Sequence, residues 1–197
     1  MQYNQRTVLF ANVEVDFDAF ESLAKLHLQK NPTTNTVETV ARDLIDSQFT
    51  EAGCRNFIKE VCRWGGYSGI ATRVLGNNSI TDIRNAFRMA TEQLTIENPD
   101  IIIALQIING LRQLKQTSFA SKHLRFLAPK ICPVYDSILQ HRLPYAANPL
   151  GYAAFAGDCI KVGEELTRRK IPNPWTDRNG TWFAADVESC LYTQLLQ

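Results

Sequence analysis

The chain has 197 residues, a length that suits one well-buried core or two small lobes. Its hydrophobic content of 45% is ordinary for a folded protein, and no apolar run approaches the ~18 residues of a membrane span, so we expect no membrane partner. The formal net charge is only +1, yet residues 101–170 carry 10 basic and 4 acidic side chains. Such a basic segment suits a surface that meets phosphate groups, although solvated helix faces account for it equally well.

The cysteines and histidines do not suggest a disulfide framework or a metal site. Five scattered cysteines without a C-x-x-C pair predict buried, reduced thiols. Three histidines with no ligand-like spacing predict no metal, and we expect no cofactor. The polar segment 1–6 lacks an apolar leader, which favours a cytoplasmic protein.

The first half of the chain is predicted to be helical from about residue 16. Alternation near Val8 to Val15 is too weak to define a sheet. Asp16 is typical of the cap of a helix that reaches about residue 29. Asn35 and Glu38 resemble a capping box for a short second helix.

Two further helices follow before the middle of the chain. Thr50 and Thr81 are the expected caps, and Gly65-Gly66 ends the first of these helices. Segment 63–69 is expected to be a flexible, glycine-rich loop that carries Trp64 and Tyr67. Aromatic side chains in such a loop can stack on bases or cap a core.

Proline marks the start of two more helices. The pattern Asn98-Pro99 predicts a helix to about Leu114 that is apolar on nearly all sides and therefore central. Asn148-Pro149 starts another in the same way, and Thr181 is the expected cap of a final helix.

The segment from Leu114 to Leu139 has the strongest functional pattern. An apolar helix ends, the polar turn Lys115-Gln116-Thr117-Ser118 follows, and a second helix begins at Ser118 with exposed amide groups that suit phosphate. A loop with two prolines then leads to Asp136 at the start of a third helix. An aspartate there is favoured in its ionised form, and it is also a common N-cap.

This arrangement resembles the helix-hairpin-helix DNA glycosylase superfamily, in particular its 8-oxoguanine branch. The resemblance implies an all-α fold of two helical subdomains with a cleft between them. We expect residues 1–197 to form one glycosylase-like unit, with the hairpin and catalytic segment at about 98–143. In this family a hairpin grips DNA, a nucleotide is flipped into a pocket, and an aspartate supports cleavage of the glycosidic bond. Asp136 matches that aspartate, and Phe183 matches a phenylalanine that stacks on the flipped base.

Two departures from the family pattern concern the hairpin. The family turn normally has two glycines, and here it reads Lys115-Gln116-Thr117-Ser118. Bifunctional members have a lysine where Ser118 stands. Lys122 lies one helical turn further on. In one interpretation its amine forms an imine with the sugar; in a second it is a pocket group that only forms an ion pair or a hydrogen bond. A surface lysine is the third interpretation.

The resemblance also assigns two groups of binding residues. The base pocket is expected to contain Phe183, Trp182, His123, Trp64 and Tyr67. The nucleic-acid backbone is expected to meet Lys115, Gln116, Thr117, Ser118, Arg125 and Arg142.

The predicted function is excision of a modified purine such as 8-oxoguanine from DNA. The substrate can be single-stranded or modified nucleic acid, and the enzyme can have lyase activity as well. The alternative is a catalytically inactive module that binds a modified base or nucleic acid, in a bacterial antiphage defence system with protein partners. A purely structural helical adaptor is a third hypothesis, and it predicts no nucleic-acid affinity even at low salt.

Overall fold

Helices dominate the structure. The computed structural model describes residues 2–3, 6–10 and 12–196. In that part of the chain the helices are α1 Ala19–Lys30, α2 Thr34–Asp46, α3 Glu51–Trp64, α4 Ser68–Asn77, α5 Ile80–Thr95, α6 Ile101–Asn109, α7 Thr117–Leu127, α8 Ser137–Arg142, α9 Pro149–Arg168 and α10 Ala184–Leu195, with a short 3-10 helix at Thr176–Arg178. The predicted, mostly helical class is confirmed.

A small antiparallel sheet precedes the helices. Its strands are β1 Gln2–Tyr3, β2 Thr7–Phe10 and β3 Val13–Asp16, in that order across the sheet. The prediction that this segment forms no sheet is therefore wrong. Val8 pairs with Val15, and both are buried. Phe10 contacts the Phe155 ring edge-on at 5.8 Å, so packing stabilises a strand pattern that is weak by itself.

The chain forms two compact units. Unit 1 contains Met1–Asn31 and Pro129–Gln197, and unit 2 is the continuous segment Pro32–Ala128. Unit 1 is therefore made from both ends of the chain, and unit 2 is continuous. The cleft expected from the resemblance stays a prediction.

The start of each helix depends on local side chains, and the sequence patterns located only some of them. Thr50 caps α3, since its hydroxyl accepts a hydrogen bond from the Gly53 amide. Asn148 caps α9 in the same way, with Pro149 in the first turn, as predicted. Thr81 is not a cap: the Ser79 hydroxyl accepts from the Asp82 amide and starts α5 two residues earlier.

Four other boundaries differ from the predictions, and one of them is α10, which begins at Ala184 and not after the predicted cap Thr181. α1 begins at Ala19 because Asp16 instead accepts from the Asp18 amide in a turn before the helix. α2 begins at Thr34, ahead of Asn35. α6 is shorter than predicted, is capped by Asp100, and leaves Ile103 42% exposed, so one of its faces is not central.

Two polar side chains of α7, His123 and Arg125, are buried in the core of unit 2. The His123 ring lies between Phe57 and Phe87, with ring centroids at 5.8 and 5.9 Å. The Arg125 guanidinium pairs with the Glu38 carboxylate of α2 at 2.6 Å, and neither side chain is exposed by more than 5%. All five cysteines of the chain are buried, unpaired thiols.

Candidate functional site

The turn between α6 and α7 is a defined structure. Asn78 fixes it from the end of α4, because its side-chain amide donates to the Arg112 carbonyl at 3.0 Å and accepts from the Arg112 amide at 2.9 Å. Gln113 adopts a left-handed conformation with φ of 75°. Glycine favours this conformation, so the hairpin has a glycine-like backbone at a residue that is not glycine.

The first amide groups of α7 make few hydrogen bonds within the described part of the chain. Gln116 precedes the helix and provides no side-chain cap, and its carbonyl accepts from the Phe119 and Ala120 amides. Within the described part of the chain, the Thr117 and Ser118 amides have no acceptor. A helix N-terminus of this kind favours a phosphate or another anion.

A basic cavity lies beside this helix end. Its volume is about 540 Å³. The lining residues are Ile70, Arg73, Arg112, Gln113, Lys115, Gln116 and Phe119. Arg73, Arg112 and Lys115 are exposed. Three cations around a recess can hold more than one phosphate oxygen, and we call this recess the hairpin cavity.

Lys122 lies one turn into α7 and is only 7% exposed. Its Nζ donates to the carbonyl and hydroxyl oxygens of Ser118, both at 3.5 Å, and lies 5.7 Å from the centre of the Tyr67 ring. The interpretation of Lys122 as an exposed surface lysine is therefore wrong. The Lys122 amine is kept near Ser118.

Tyr67 is held against α7 by the glycine turn before it. A side chain at Gly65 would come within 2.0 Å of the Tyr67 ring, and Gly66 has a φ of 75°. The Tyr67 ring contacts Phe119 at 4.9 Å, and burial raises the pKa of its phenol. The turn therefore requires glycine to place the aromatic ring over Lys122.

The loop predicted at 63–69 is shorter than expected. Trp64 is the last residue of α3, and α4 already begins at Ser68. The Trp64 indole donates to the Thr34 hydroxyl at 3.0 Å and packs edge-on against Phe126 at 5.0 Å. Core contacts of unit 2 account for the position of Trp64.

Among the residues expected to bind backbone, Arg125 requires a correction. It is fully buried and paired with Glu38, so it cannot reach a phosphate. Lys115 and Gln116 are exposed, Ser118 is half-buried, and Thr117 is buried. Arg142 is exposed at the end of α8 in unit 1.

His123 also belongs to the core. It is fully buried, its Nδ1 donates to the Phe119 carbonyl at 2.9 Å, and its Nε2 has no partner among the described residues. Burial lowers the pKa of His123 from 6.5 to about 4; the Phe119 hydrogen bond opposes this shift, and the Lys122 charge adds to it. The imidazole is therefore neutral at physiological pH and packs as a core ring.

The buried imidazole predicts acid sensitivity. As the pH falls from 6.5 towards 4, the unfolded chain takes up a proton that the folded chain excludes, and we expect about 3 kcal/mol of unfolding free energy to be lost. Above pH 6.5 this contribution is constant. His123→Leu removes the titrating group and nearly conserves volume, so its unfolding free energy should fall less over this pH range.

Urea unfolding at a series of pH values measures the difference. The control is His141→Gln, because His141 is exposed on α8. Parallel pH profiles for the wild type and His123→Leu would contradict the assignment.

Asp136 is placed by an anchored loop in unit 1. The Tyr152 hydroxyl donates to the Pro133 carbonyl at 3.0 Å, and the Tyr135 hydroxyl donates to the Tyr145 carbonyl at 2.6 Å. Asp136 is half-buried and caps α8: its Oδ1 accepts from the Ile138 and Leu139 amides at 3.1 and 3.2 Å.

The C-terminal helix contains the predicted stacking residue. Phe183 is half-buried at the start of α10, where the Arg178 guanidinium lies 4.5 Å from its ring centre. Trp182 is in the core: it is 4% exposed, donates to the Ile171 carbonyl at 2.8 Å and packs edge-on against Phe20. Phe183 therefore retains accessible surface that Trp182 lacks.

Comparison with models of protein families, with curated proteins and with solved structures finds no match for this chain. None of the helices among the described residues is both long and apolar enough to cross a membrane. The same part of the chain contains no group of three or more His, Cys, Asp or Glu residues that could hold a metal ion.

Proposed function

We propose that this protein binds nucleic acid through the α6–α7 hairpin and excises a modified purine, as a DNA glycosylase of the helix-hairpin-helix class in the cytoplasm. The observation that carries the proposal is the hairpin cavity. Arg73, Arg112 and Lys115 line it, together with Gln116 and Phe119 at the start of α7. Cations and helix amides together bind backbone phosphates without regard to sequence.

The chemistry is hydrolysis of an N-glycosidic bond. The bond between the sugar C1′ and the purine nitrogen breaks, the base leaves with a proton, and a water oxygen bonds to C1′. The Asp136 carboxylate stabilises the positive charge that develops on the sugar, or takes the proton of the attacking water. In this route Phe183, which lies in the same unit as Asp136, stacks on the base.

A second candidate function is a catalytically silent module that recognises a modified base within an antiphage defence complex. The burial of Lys122 favours it, because this residue is only 7% exposed and Ser118 stands where the resemblance expects a lysine. A silent module and a glycosylase make the same phosphate contacts, and only base release separates them.

The hairpin contacts are tested by the salt dependence of binding. The double variant Arg112→Ala/Lys115→Ala removes two cations from the hairpin cavity. We expect the slope of log K against log salt to become shallower by about 2, and the affinity for double-stranded DNA to fall about 50-fold at 0.1 M salt.

The matched control is Arg55→Ala/Lys59→Ala, which removes two exposed cations from α3. Fluorescence anisotropy with a labelled duplex at several salt concentrations gives both slopes. An equal change in the control pair, or no affinity at low salt, would contradict the proposed hairpin contact.

A further inference from the structure

A second cavity in unit 2 lies outside the hairpin. Its volume is about 590 Å³, within the roughly 300–1,000 Å³ typical of small-molecule sites. It is lined by the end of α2, the turn that follows, and one face of α5. We call it the α5 cavity.

Side chains of α5 line this cavity at intervals of one helical turn. Arg84, Arg88 and Glu92 are each four residues apart, so they form one stripe along the helix. The stripe is cationic over its first two positions and anionic at the third. Arg88 and Glu92 are exposed and lie 4.0 Å apart, a weak ion pair that a ligand can replace.

Arg84 is held in place by the turn opposite. Its Nε donates to the Phe49 carbonyl at 2.9 Å, and the structure shows no other hydrogen bond from this guanidinium to the described residues. Both terminal nitrogens therefore remain as donors. A guanidinium fixed through Nε presents a planar pair of N–H groups that matches a phosphate or carboxylate.

The turn itself has a costly conformation. Gln48 and Phe49 both adopt left-handed φ angles, 54° and 59°, and neither is glycine. Such residues persist only where packing determines them, and here the Phe49 side chain is buried. The turn directs one carbonyl towards Arg84 and brings Gln48 to the cavity wall.

The remaining lining residues suit the rest of a nucleotide. The Asn85 and Gln48 amides can each donate to and accept from a heterocyclic base, and Ile45 supplies an apolar contact. Glu92 can accept hydrogen bonds from sugar hydroxyl groups. Positive charge at one end and a carboxylate further along correspond to the order phosphate, then ribose.

We propose that the α5 cavity binds a free ribonucleoside monophosphate, with its phosphate on Arg84 and Arg88 and its ribose hydroxyls on Glu92. The proposal goes beyond the glycosylase function and uses none of the hairpin residues. The proposal concerns binding of a ligand in this cavity and includes no covalent reaction.

Isothermal titration with adenosine 5′-monophosphate tests the site. We expect saturable binding, weakened roughly 10- to 100-fold in Arg84→Gln because a charge-assisted pair is lost. Arg88→Gln should weaken binding in the same direction; its side chain is exposed, so it provides a test even if Arg84→Gln fails to fold. The control Arg55→Gln, on α3, should bind like the wild type.

Three comparisons define the ligand class. Inorganic phosphate and adenosine should each bind more weakly than the nucleotide, and the 2′-deoxynucleotide should bind more weakly than the ribonucleotide. The proposal is overturned if inorganic phosphate binds as tightly as the nucleotide, if Arg55→Gln weakens binding equally, or if a short oligonucleotide displaces the nucleotide at equal phosphate concentration.

The two proposals can fail separately. Arg112→Ala/Lys115→Ala should bind the mononucleotide normally. Loss of mononucleotide binding in this hairpin variant would place the nucleotide in the hairpin cavity and overturn the assignment to α5.

Discussion

Asp136→Asn is expected to slow base excision by roughly 10²- to 10⁴-fold, the usual contribution of a positioned acid or base. The substitution removes the negative charge that, in the proposed function, stabilises the cationic sugar. It conserves the N-cap, because an asparagine oxygen can still accept from the Ile138 and Leu139 amides. Single-turnover release of base from oligonucleotides that contain 8-oxoguanine or a deazaguanine measures the effect.

A cap-matched control separates catalysis from stability. Asp100 caps α6 with a 2.9 Å hydrogen bond from the Ile103 amide, and Asp100→Asn should leave excision within about twofold. Asp136→Ala should lose about 1 kcal/mol of unfolding free energy in addition to excision, because the cap is removed as well. Full excision by Asp136→Asn would leave Asp136 with the structural role alone.

The role of Lys122 is decided in the same assay by borohydride trapping. If Lys122 Nζ attacks C1′ and displaces the base, the sugar opens to an imine, and borohydride reduces the imine to a stable amine adduct. A covalent adduct that disappears in Lys122→Gln supports this route. Base release without an adduct supports hydrolysis by water, and binding without base release supports the silent module.

The helical class and the hairpin could be predicted because their determinants are local. The polar turn after an apolar segment placed the start of α7 within one residue, at Thr117. The proline loop and a capping side chain placed Asp136 at the start of α8. These signals require only neighbours in sequence.

The structural features that the sequence did not predict depend on residues that are far apart along the chain. The pairing of Arg125 with Glu38 joins positions 87 residues apart, and nothing near Arg125 shows that it is buried. The support that Asn78 gives to Arg112 spans 34 residues. The resemblance assigned Trp182 to a base pocket, but its side chain packs against Phe20 in unit 1.

Phe183 and Trp182 show why adjacent residues have different environments. Successive side chains at a helix start point in different directions, so one enters the core while its neighbour stays near the surface. A sequence motif identifies the pair, and only packing shows which member is accessible. The same holds for Lys122, whose burial next to Ser118 and Tyr67 follows from the glycine turn at Gly65-Gly66.

The Arg125–Glu38 pair also positions the candidate site, because it fixes α7 against α2 inside unit 2. α7 carries Ser118 and Lys122 at its other end. The Nε and Nη2 atoms of Arg125 have no hydrogen-bond partner in the part of the chain that is described, and the guanidinium lies 4.4 Å from the Phe126 ring centre. A buried ion pair with two donors unpartnered among the described residues is weak evidence of stabilisation, and we infer that its main contribution is to specify where α7 packs.

We expect Arg125→Met to lower the free energy of unfolding by about 3–5 kcal/mol, because the buried Glu38 carboxylate loses this cation. The double variant Arg125→Met/Glu38→Leu should recover most of that loss, since it buries apolar groups instead of one charge. Urea unfolding of both variants and of Arg55→Met, an exposed arginine on α3, gives the comparison. If the double variant regains stability but binds the DNA duplex more weakly, the ion pair sets the geometry of α7. If the double variant is as unstable as Arg125→Met, the ion pair itself stabilises unit 2.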